Sequence, residues 1–392
     1  MSLVVDVIAV LLLIGALAGG IARGLLASAG ALLGVVAAGA AAWWLLPLLS
    51  GVVPWSQWRG LIVLAAGIAL LFAGGTLGGA IGMRLRRGVD RLRLGIVDRV
   101  LGGALSVVVA ALAISLVGQS VVVTGTPVLA PAVASSTVLR TIDDLTPSPL
   151  SQALAQLRQG VLSDGLPQFG ALLDGAATAP AAAPIDLADP ALNAAAQSVA
   201  RISGTAYACS ETSTGSGFVI APDRVVTNAH VVAGVTNPIV ELPGRAAVEG
   251  RIVYDDPHND IAVIATDGLD AAAIPLGATL TAGAAAVVQG YPYGGPFTSG
   301  NASVTSVGEA RVPDIYGSGS DVRDIYALDA VVRPGNSGGP LLDASGRAVG
   351  IVFARSDSDP NVGYAMTTAE LTSVVAQAES MQQTVSSGAC IR

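Results

Sequence analysis

Four long apolar stretches in the first 123 residues constrain the fold of this chain more than any other feature. They cover residues 3–20, 25–49, 61–83 and 100–123. A helix needs roughly 20 apolar residues to cross the hydrocarbon core of a bilayer. We therefore expect an N-terminal domain of four transmembrane helices, residues 1–123, in a lipid bilayer. A cleaved signal peptide is the alternative for the first stretch, but no basic segment precedes it and three more stretches follow directly.

The distribution of charge predicts the orientation of these spans. Residues 1–118 carry eight Arg and three Asp, whereas the rest of the chain has a net charge of −13 within a total of −8. Six of those Arg residues lie in RLRRGVDRLRLGIVDR, between the third and fourth stretches. Positively charged loops stay in the cytoplasm, so everything after residue 123 is expected outside it. The acidic outer part is a poor match for nucleic acid.

Rows of glycine indicate how the spans pack. Gly74, Gly78 and Gly82 follow each other at four-residue spacing, and Gly15 and Gly19 form a second row. Small residues at this spacing let helix backbones approach closely. We expect a compact bundle, or self-association of the chain, through both rows.

The first two stretches also carry a family resemblance. The run VDVIAVLLLIGALAGGIARGLLASAGALLG has an early Asp and a later Arg-Gly pair. It resembles the colicin V production protein family. The resemblance implies a four-span protein of the inner membrane and says little about chemistry.

The rest of the chain divides into a linker, residues 124–195, and a β-rich domain, residues 196–392. Leucines at mixed helical spacings predict short helices in the linker, and GAATAPAAAPIDLADPALN predicts an extended tether at its end. After residue 196, short β-forming runs such as RVVTNAHVV and GRIVYDD alternate with turn residues, which indicates an all-β domain. Helical periodicity returns only near residues 367–380.

Three motifs in the β-rich domain predict nucleophilic catalysis. RVVTNAHVV contains His230, HNDIAVI contains Asp260 and RPGNSGGPLL contains Ser337. A serine hydroxyl needs a base within hydrogen-bond reach, and a carboxylate must hold that imidazole in the correct tautomer. We therefore predict Ser337 as nucleophile, His230 as general base and Asp260 as its orienting acid. The surrounding glycines predict that the backbone N–H groups of Gly335 and Ser337 form an oxyanion hole.

Neighbouring residues offer alternatives for two of these roles. His258 is the only other histidine, and Asp255 and Asp256 precede Asp260 closely. His258 lies in a polar turn, which favours a loop residue. Only Asp260 opens the apolar run IAVIA, so it is the preferred acid.

Together TNAH, NDIAV and GNSGGPLL resemble the trypsin-like superfamily, closest to its bacterial HtrA/Deg branch. The resemblance covers residues 199–382 and implies two six-stranded antiparallel β-barrels with the site between them. It assigns the same roles to the three predicted catalytic residues. This chain has Asn336 where digestive members have Asp, so activation by a new N-terminus is not expected. It has Val331 where trypsin has Asp, so no preference for Arg or Lys is expected.

Cys209 and Cys390 are the only cysteines. Outside the cytoplasm they can form a disulfide that joins the end of the chain to the first barrel, with two free thiols as the alternative. Two His and two Cys offer no convincing metal site, and we expect no metal and no other cofactor.

The complete architecture resembles the membrane-anchored periplasmic proteases of mycobacteria that are linked to acid resistance. This resemblance implies protein or peptide substrates in the cell envelope and a role in envelope stress. Two alternatives remain: a latent protease-like domain that serves as a membrane sensor or scaffold, and a transport function in the spans. The scarcity of polar residues in the spans argues against transport.

Overall fold

The computed structural model describes residues 2–52, 56–90, 95–123, 129–159, 166–173, 179–209 and 211–391. Within it the chain forms two compact units. One comprises residues 6–115, and the other comprises residues from 116 onward together with residues 1–5.

Long helices make up the N-terminal part: α1 (Ser2–Arg23), α2 (Leu25–Val52), α3 (Ser56–Asp90) and α4 (Gly95–Val123). Three stretches are long and apolar enough to cross a membrane, namely Ser2–Arg23, Leu25–Ala42 and Gly95–Val122. These coincide with the first, second and fourth predicted spans. In α3 the described apolar stretch is shorter, Ala69–Leu85, and the start of the third predicted span lies outside the described side chains.

The row of Gly74, Gly78 and Gly82 lies where α3 crosses α2. A Cβ on Gly78 would overlap the carbonyl oxygen of Gly30, and one on Gly74 would overlap that of Gly34. Only glycine allows the two backbones to come this close. Close packing at this row is therefore confirmed, within one chain.

The second predicted row, Gly15 and Gly19, makes no close contact within the described part of the chain, and its part in self-association stays a prediction. A Cβ on Gly15 or Gly19 would have no described atom within 4 Å. The helix contact of α1 is made at the next residue, Gly20, where a Cβ would be 2.7 Å from the Cβ of Ser106 on α4. Four-residue spacing occurs by chance in a chain with 48 glycines, so the spacing alone does not identify the packed face.

The linker contains the short helices predicted from its leucines: α5 (Leu129–Ala134), α6 (Thr137–Leu145) and α7 (Ser148–Gln159). It also contains an unpredicted two-residue strand, β1 (Gln168–Phe169), and a last short helix, α8 (Pro190–Ala196). The start of the predicted tether, residues 175–178, lies outside the described residues. Residues 179–189 have no regular structure.

The first sheet is entirely antiparallel, with the order β6-β5-β2-β3-β4-β8-β7. Its strands are β2 (Val199–Ala206), β3 (Glu211–Ala221), β4 (Arg224–Thr227), β5 (Ile239–Glu241), β6 (Val248–Glu249), β7 (Arg251–Asp256) and β8 (Ile261–Ala265). A single turn of helix, α9 (Ala229–Val232), follows β4.

The second sheet closes on itself. Its strands are β9 (Ala285–Gly290), β10 (Thr298–Pro313), β11 (Ser320–Asp329), β12 (Pro340–Leu342), β13 (Ala348–Ser356) and β14 (Val362–Thr367). They follow the order β13-β12-β9-β10-β11-β14, and β13 also pairs with β14, which completes a six-stranded ring. β1 joins the outside of this ring, parallel to β13. Helix α10 (Thr368–Gln377) follows β14, as the periodicity predicted.

Two sheets were expected with six strands each, and each sheet has seven. The extra strand of the second sheet is β1 from the linker, and the first sheet includes the very short β6. Side chains of β8 explain why its sequence is continuously apolar. Ala262 and Ile264 pack inside the first sheet, whereas Ile261 and Val263 join a core shared with the second sheet. The predicted class, a helical apolar region followed by two antiparallel β-sheets, is confirmed.

Cys209 and Cys390 form the predicted disulfide, with Cα atoms 6.6 Å apart. The tail after α10 runs along the first sheet, where the backbone N–H of Val385 donates to the carbonyl of Ile252 over 2.8 Å. The tail is thus attached to the first sheet, whose strand β4 leads into the helix of His230.

Candidate active site

His230 and Asp260 meet because two paired strands end beside each other. Thr227, the last residue of β4, pairs with Ala262 of β8. His230 lies in α9 just after β4, and Asp260 immediately precedes β8. The side-chain amide of Asn228 donates to the carbonyl of Asp260 over 2.8 Å and joins the two turns.

The carboxylate of Asp260 holds the imidazole of His230 through a dense set of contacts. Its Oδ2 lies 2.8 Å and its Oδ1 3.0 Å from Nδ1, and the backbone N–H of His230 donates to Oδ1 over 2.9 Å. Each side chain is only 3% exposed. Because an ionised carboxylate only accepts hydrogen bonds, Nδ1 is assigned the proton and the neutral ring keeps its lone pair on Nε2. Nε2 is therefore the atom that can accept a proton.

Ser337 lies in the turn between β11 and β12, which is held against β3 and β13. Its carbonyl accepts from the backbone N–H of Ser216 over 2.7 Å, and the N–H of Gly338 donates to the carbonyl of Val352 over 2.8 Å. Gly338 has a φ of +82°, and a Cβ there would overlap the carbonyl oxygen of Ser216. The turn thus requires the glycine that follows the serine in the GNSGGP motif.

The turn of Ser337 and helix α9 flank the same point of β3. A Cβ on Gly215 would lie 2.6 Å from the side chain of Val231 and 3.1 Å from the carbonyl oxygen of Ser337. Ser337 is 2% exposed. Its Oγ and the Nε2 of His230 have no hydrogen-bond partner among the described residues. The structure thus joins His230 to Asp260, places Ser337 nearby and leaves its hydroxyl unpaired.

The peptide between Pro334 and Gly335 has a defined orientation. The carbonyl of Pro334 accepts from the backbone N–H of Tyr293 over 2.6 Å. In a trans peptide the C=O and N–H groups point in opposite directions, so this bond turns the N–H of Gly335 away from Tyr293. Within the described part of the chain, the N–H groups of Gly335 and Ser337 donate to no residue. Both predicted oxyanion donors are unused.

Ser216 on β3 belongs to this site, although the sequence analysis missed it. The side chain is fully buried, its Oγ donates to the carbonyl of Gly335 over 2.7 Å, and it accepts from the N–H of Tyr291 over 2.9 Å. Ser216 therefore links β3, the Gly335 turn and the loop after β9. The available signal was the string GSG at the start of an apolar strand, where a small polar residue stands between two glycines.

Three other residues singled out by the sequence lie at the margin of the site. Asn336 accepts from the backbone N–H of Arg333 over 2.9 Å, so its side chain stabilises the turn itself. Val331 is 54% exposed. His258 lies in a surface turn, where its Nδ1 is 3.2 Å from Oδ2 of Asp321 and its side chain is 68% exposed. His258 is thus a loop residue, as predicted.

The sequence analysis did not predict the buried guanidinium of Arg323 near Asp260 or the raised pKa of Asp255. The guanidinium of Arg323 is buried, lies 6.0 Å from the centre of the Phe353 ring and donates to two backbone carbonyls. Burial lowers the pKa of Arg323, against the attraction of Asp260. Burial raises the pKa of Asp255 to about 6, and repulsion by Asp256 and Asp260 acts in the same direction.

A cleft of about 470 Å³ lies beside His230 and Asp260. His230, Asp260 and Gly335 form one part of its wall, and Arg323 with residues 166–169 of the linker forms another. Among the described residues, no group of three or more His, Cys, Asp and Glu side chains is arranged to hold a metal ion.

Two family models match the chain. The model of the trypsin-like peptidase domain matches residues 215–351, which include His230, Asp260 and Ser337. The model of the colicin V production protein matches residues 5–147. Fold and domain match together define the class: the chain is a trypsin-like serine endopeptidase with a helical apolar region before it.

The relatives identify the family more closely. "Serine protease Rv3671c" of Mycobacterium tuberculosis is 35% identical over 318 residues, which are 79% of each chain. The crystal structure of the Rv3671c protease in its active form superposes with a TM-score of 0.52 at 36% identity and covers 57% of this chain and all of that one. This chain belongs to the family of that serine protease.

A more distant group shares the protease part alone. A "Probable periplasmic serine endoprotease DegP-like" of Pseudomonas fluorescens is 32% identical over 160 residues, which are 39% of this chain and 32% of that protein. The resemblance to HtrA-type proteases stated from the motifs is thus confirmed.

Proposed function

We propose that this chain is a membrane-anchored endopeptidase that hydrolyses peptide bonds outside the cytoplasm through Ser337, His230 and Asp260. The buried His230–Asp260 pair beside the turn of Ser337 is the observation that carries the proposal. Because the carboxylate binds Nδ1, Nε2 is free to act as a base. The turn beside α9 supplies the hydroxyl of Ser337 as the nucleophile.

Each step of acyl transfer has a group for it. The Ser337 hydroxyl, after a change of rotamer, attacks the substrate carbonyl carbon while His230 Nε2 accepts its proton and Asp260 stabilises the imidazolium. The oxyanion accepts hydrogen bonds from the N–H groups of Gly335 and Ser337, each worth about 2.7–4 kcal/mol in the transition state. His230 then protonates the leaving amine, and water hydrolyses the acyl ester on Ser337. None of these steps requires a cofactor.

Three observations support this location of the protease domain. Three apolar helices among the described residues and the colicin V production match support anchoring in a membrane. The Arg-rich segment of residues 84–99 favours a cytoplasmic loop there and a protease domain on the other side. The Cys209–Cys390 disulfide fits an oxidising compartment. Substrates are then proteins or peptides of the cell envelope.

A role in envelope or acid stress extends this proposal. It rests on the architecture shared with the mycobacterial relative rather than on the site. Deletion of the gene should reduce survival at low external pH, and a plasmid that encodes Ser337→Ala should fail to restore it. Unaltered survival of the deletion strain would remove this role.

A fluorophosphonate probe tests the enzymatic function. The probe should label the full-length protein in membranes, and Ser337→Ala should abolish labelling, whereas Ser345→Ala, a control in an exposed turn, should leave it unchanged. The unpaired Ser337 hydroxyl gives specific support to one alternative, a latent domain that acts as a membrane sensor or scaffold. Absence of labelling in the wild-type protein would favour that alternative.

A further inference from the structure

The linker strand β1 occupies the edge of β13 that β12 leaves open. β12 pairs with β13 only as far as Ile351. Beyond this point β1 is the neighbour, with Gln168 opposite Arg355 and Phe169 opposite Ser356. The pairing is parallel, and it is made by a segment that precedes the whole protease domain in sequence.

Backbone hydrogen bonds hold the linker strand to this edge. The N–H of Arg355 donates to the carbonyl of Pro167 over 3.1 Å, and the N–H of Asp357 donates to the carbonyl of Phe169 over 3.0 Å. Both donors belong to β13 and its extension. Any other peptide that adds to this edge needs the same two donors.

Side chains add further contacts to the same segment. The ring of Phe169 lies 6.2 Å from the ring of Phe353, and Leu166 is only 3% exposed. The hydroxyl of Tyr364 donates to the carbonyl of Gly170 over 3.0 Å. Residues 166–170 are therefore bound along their whole length.

The linker strand forms part of the wall of the cleft at the proposed site. Residues 166–169 line the same cavity as His230 and Asp260. Val352 is hydrogen-bonded to the two residues that follow Ser337, over 2.8 and 2.9 Å. Val352, in the middle of β13, thus contacts the turn of the nucleophile, and the later residues of β13 extend away from that turn.

We propose that the linker strand competes with substrate: it occupies this edge of β13 in the intact chain until the acyl side of an extended peptide substrate displaces it. The inference rests on the proposed function, because it takes Ser337 as the nucleophile. An acyl segment on this edge must run toward Ser337, which is antiparallel to β13. The linker strand runs the other way, so its carbonyls from Pro167 onward recede from Ser337 and it is not cleaved there.

Competition of this kind has a specific kinetic signature. Substrate binds only to the fraction of molecules whose edge is free, so the apparent KM rises as that fraction falls. At saturating substrate the linker strand is displaced, so kcat is unaffected. A purely structural role of the same residues would lower kcat or stability instead.

Phe169→Ala in the full-length protein tests the competition. Loss of one aromatic pair should lower the KM for an extended peptide about threefold to tenfold at unchanged kcat. The matched control is Leu276→Ala, because Leu276 packs partly buried on the same core but lies outside the linker segment. It should leave the KM unchanged. An unchanged or higher KM in Phe169→Ala would overturn the proposal.

Hydrogen exchange in the wild-type protein gives a second test that needs no substitution. An extended peptidyl phosphonate, once bonded to Ser337, should expose the amides of residues 166–173 to exchange. A small fluorophosphonate, which does not reach β13, should leave them protected. If both reagents label Ser337 and the segment stays protected, this proposal fails and the enzymatic function stands. If neither reagent labels the protein, the enzymatic function and the competition by the linker strand are both contradicted.

Discussion

At the scale of single residues, the proposed oxyanion donors depend on a side chain that touches neither substrate nor base. Ser216 receives the N–H of Tyr291 and donates to the carbonyl of Gly335, while its own N–H binds the carbonyl of Ser337. One buried residue thus fixes the two peptides that follow Gly335 and Ser337. Ser216 acts as a positioning residue, because misplacement of reacting groups by a fraction of an ångström is costly in catalysis.

Ser216→Ala should lower kcat by about tenfold to a hundredfold and leave KM nearly unchanged, since the donors remain but lose their orientation. The control is Ser203→Ala, which removes another buried hydroxyl, one that donates to the carbonyl of Val122. Ser203→Ala should lower the stability by a similar amount and leave kcat unchanged. Peptide kinetics on both variants, with their thermal stabilities, provide the measurement. Equal loss of kcat in the two variants would show that Ser216 has only a structural role.

Asp255 makes the stability of the protease domain depend on pH. Its pKa of about 6 exceeds the unfolded value of 3.8, so the folded state holds the proton more tightly. Stability from this group is complete below about pH 4 and is lost as pH rises to about 6. After allowance for a carboxyl that is partly exposed, the loss is about 1 kcal/mol.

Asp255→Asn should remove this dependence, because the amide does not titrate. Pulse proteolysis in urea of the Ser337→Ala protein, with and without Asp255→Asn, at pH 4.5 and 7 compares the two free energies of unfolding. Relative to the parent, the Asn variant should gain stability at pH 7 and little at pH 4.5. An equal difference at both pH values contradicts the assignment.

At the scale of elements, the crossing of α2 and α3 shows how glycine position decides helix packing. A Cβ on Gly78 would overlap a backbone carbonyl of α2. On the adjacent Gly79, a Cβ would be 3.5 Å from the Cβ of Ala31, an ordinary contact. The two residues differ only in the face of α3 on which they lie.

Gly78→Ala should therefore force α2 and α3 apart and destabilise the helical unit by about 1–3 kcal/mol, whereas Gly79→Ala should be nearly neutral. All four Trp residues lie between positions 43 and 58, in the part of the sequence where α2 ends and α3 begins, so their fluorescence can follow unfolding of the pair in detergent. Similar midpoints for the two variants would contradict the observed crossing.

The elements that the sequence predicted share a local signal. The run IAVIA is apolar throughout because β8 is buried on both faces, and the glycines of GNSGGP are required by the turn that they form. The motifs therefore located the His230–Asp260 pair and the turn of Ser337. β1 has no such signal, since two residues become a strand only through pairing with β13, which lies far away in sequence. Ser216 had a local signal in the string GSG, but its contacts with Gly335 and Tyr291 join segments far apart in sequence.

At the scale of the whole molecule, composition and motif order predicted the sequence of parts: an apolar helical region, a linker with short helices and two β-sheets. Composition could not predict that the linker contributes to the second sheet. Nor could it show which glycine row is packed, because that depends on the rotation of each helix about its axis. Such features arise from contacts between distant segments, which a local pattern does not encode.

The position of β1 also sets an order of events during synthesis. Tyr364 and Gly170, whose contact secures the linker strand, are 194 residues apart, so the receiving strand leaves the ribosome well after the linker. β1 has no edge to join until the second barrel has closed. Each new molecule therefore completes the second sheet before the linker strand covers the edge of β13. For a short time after synthesis that edge is open to substrate.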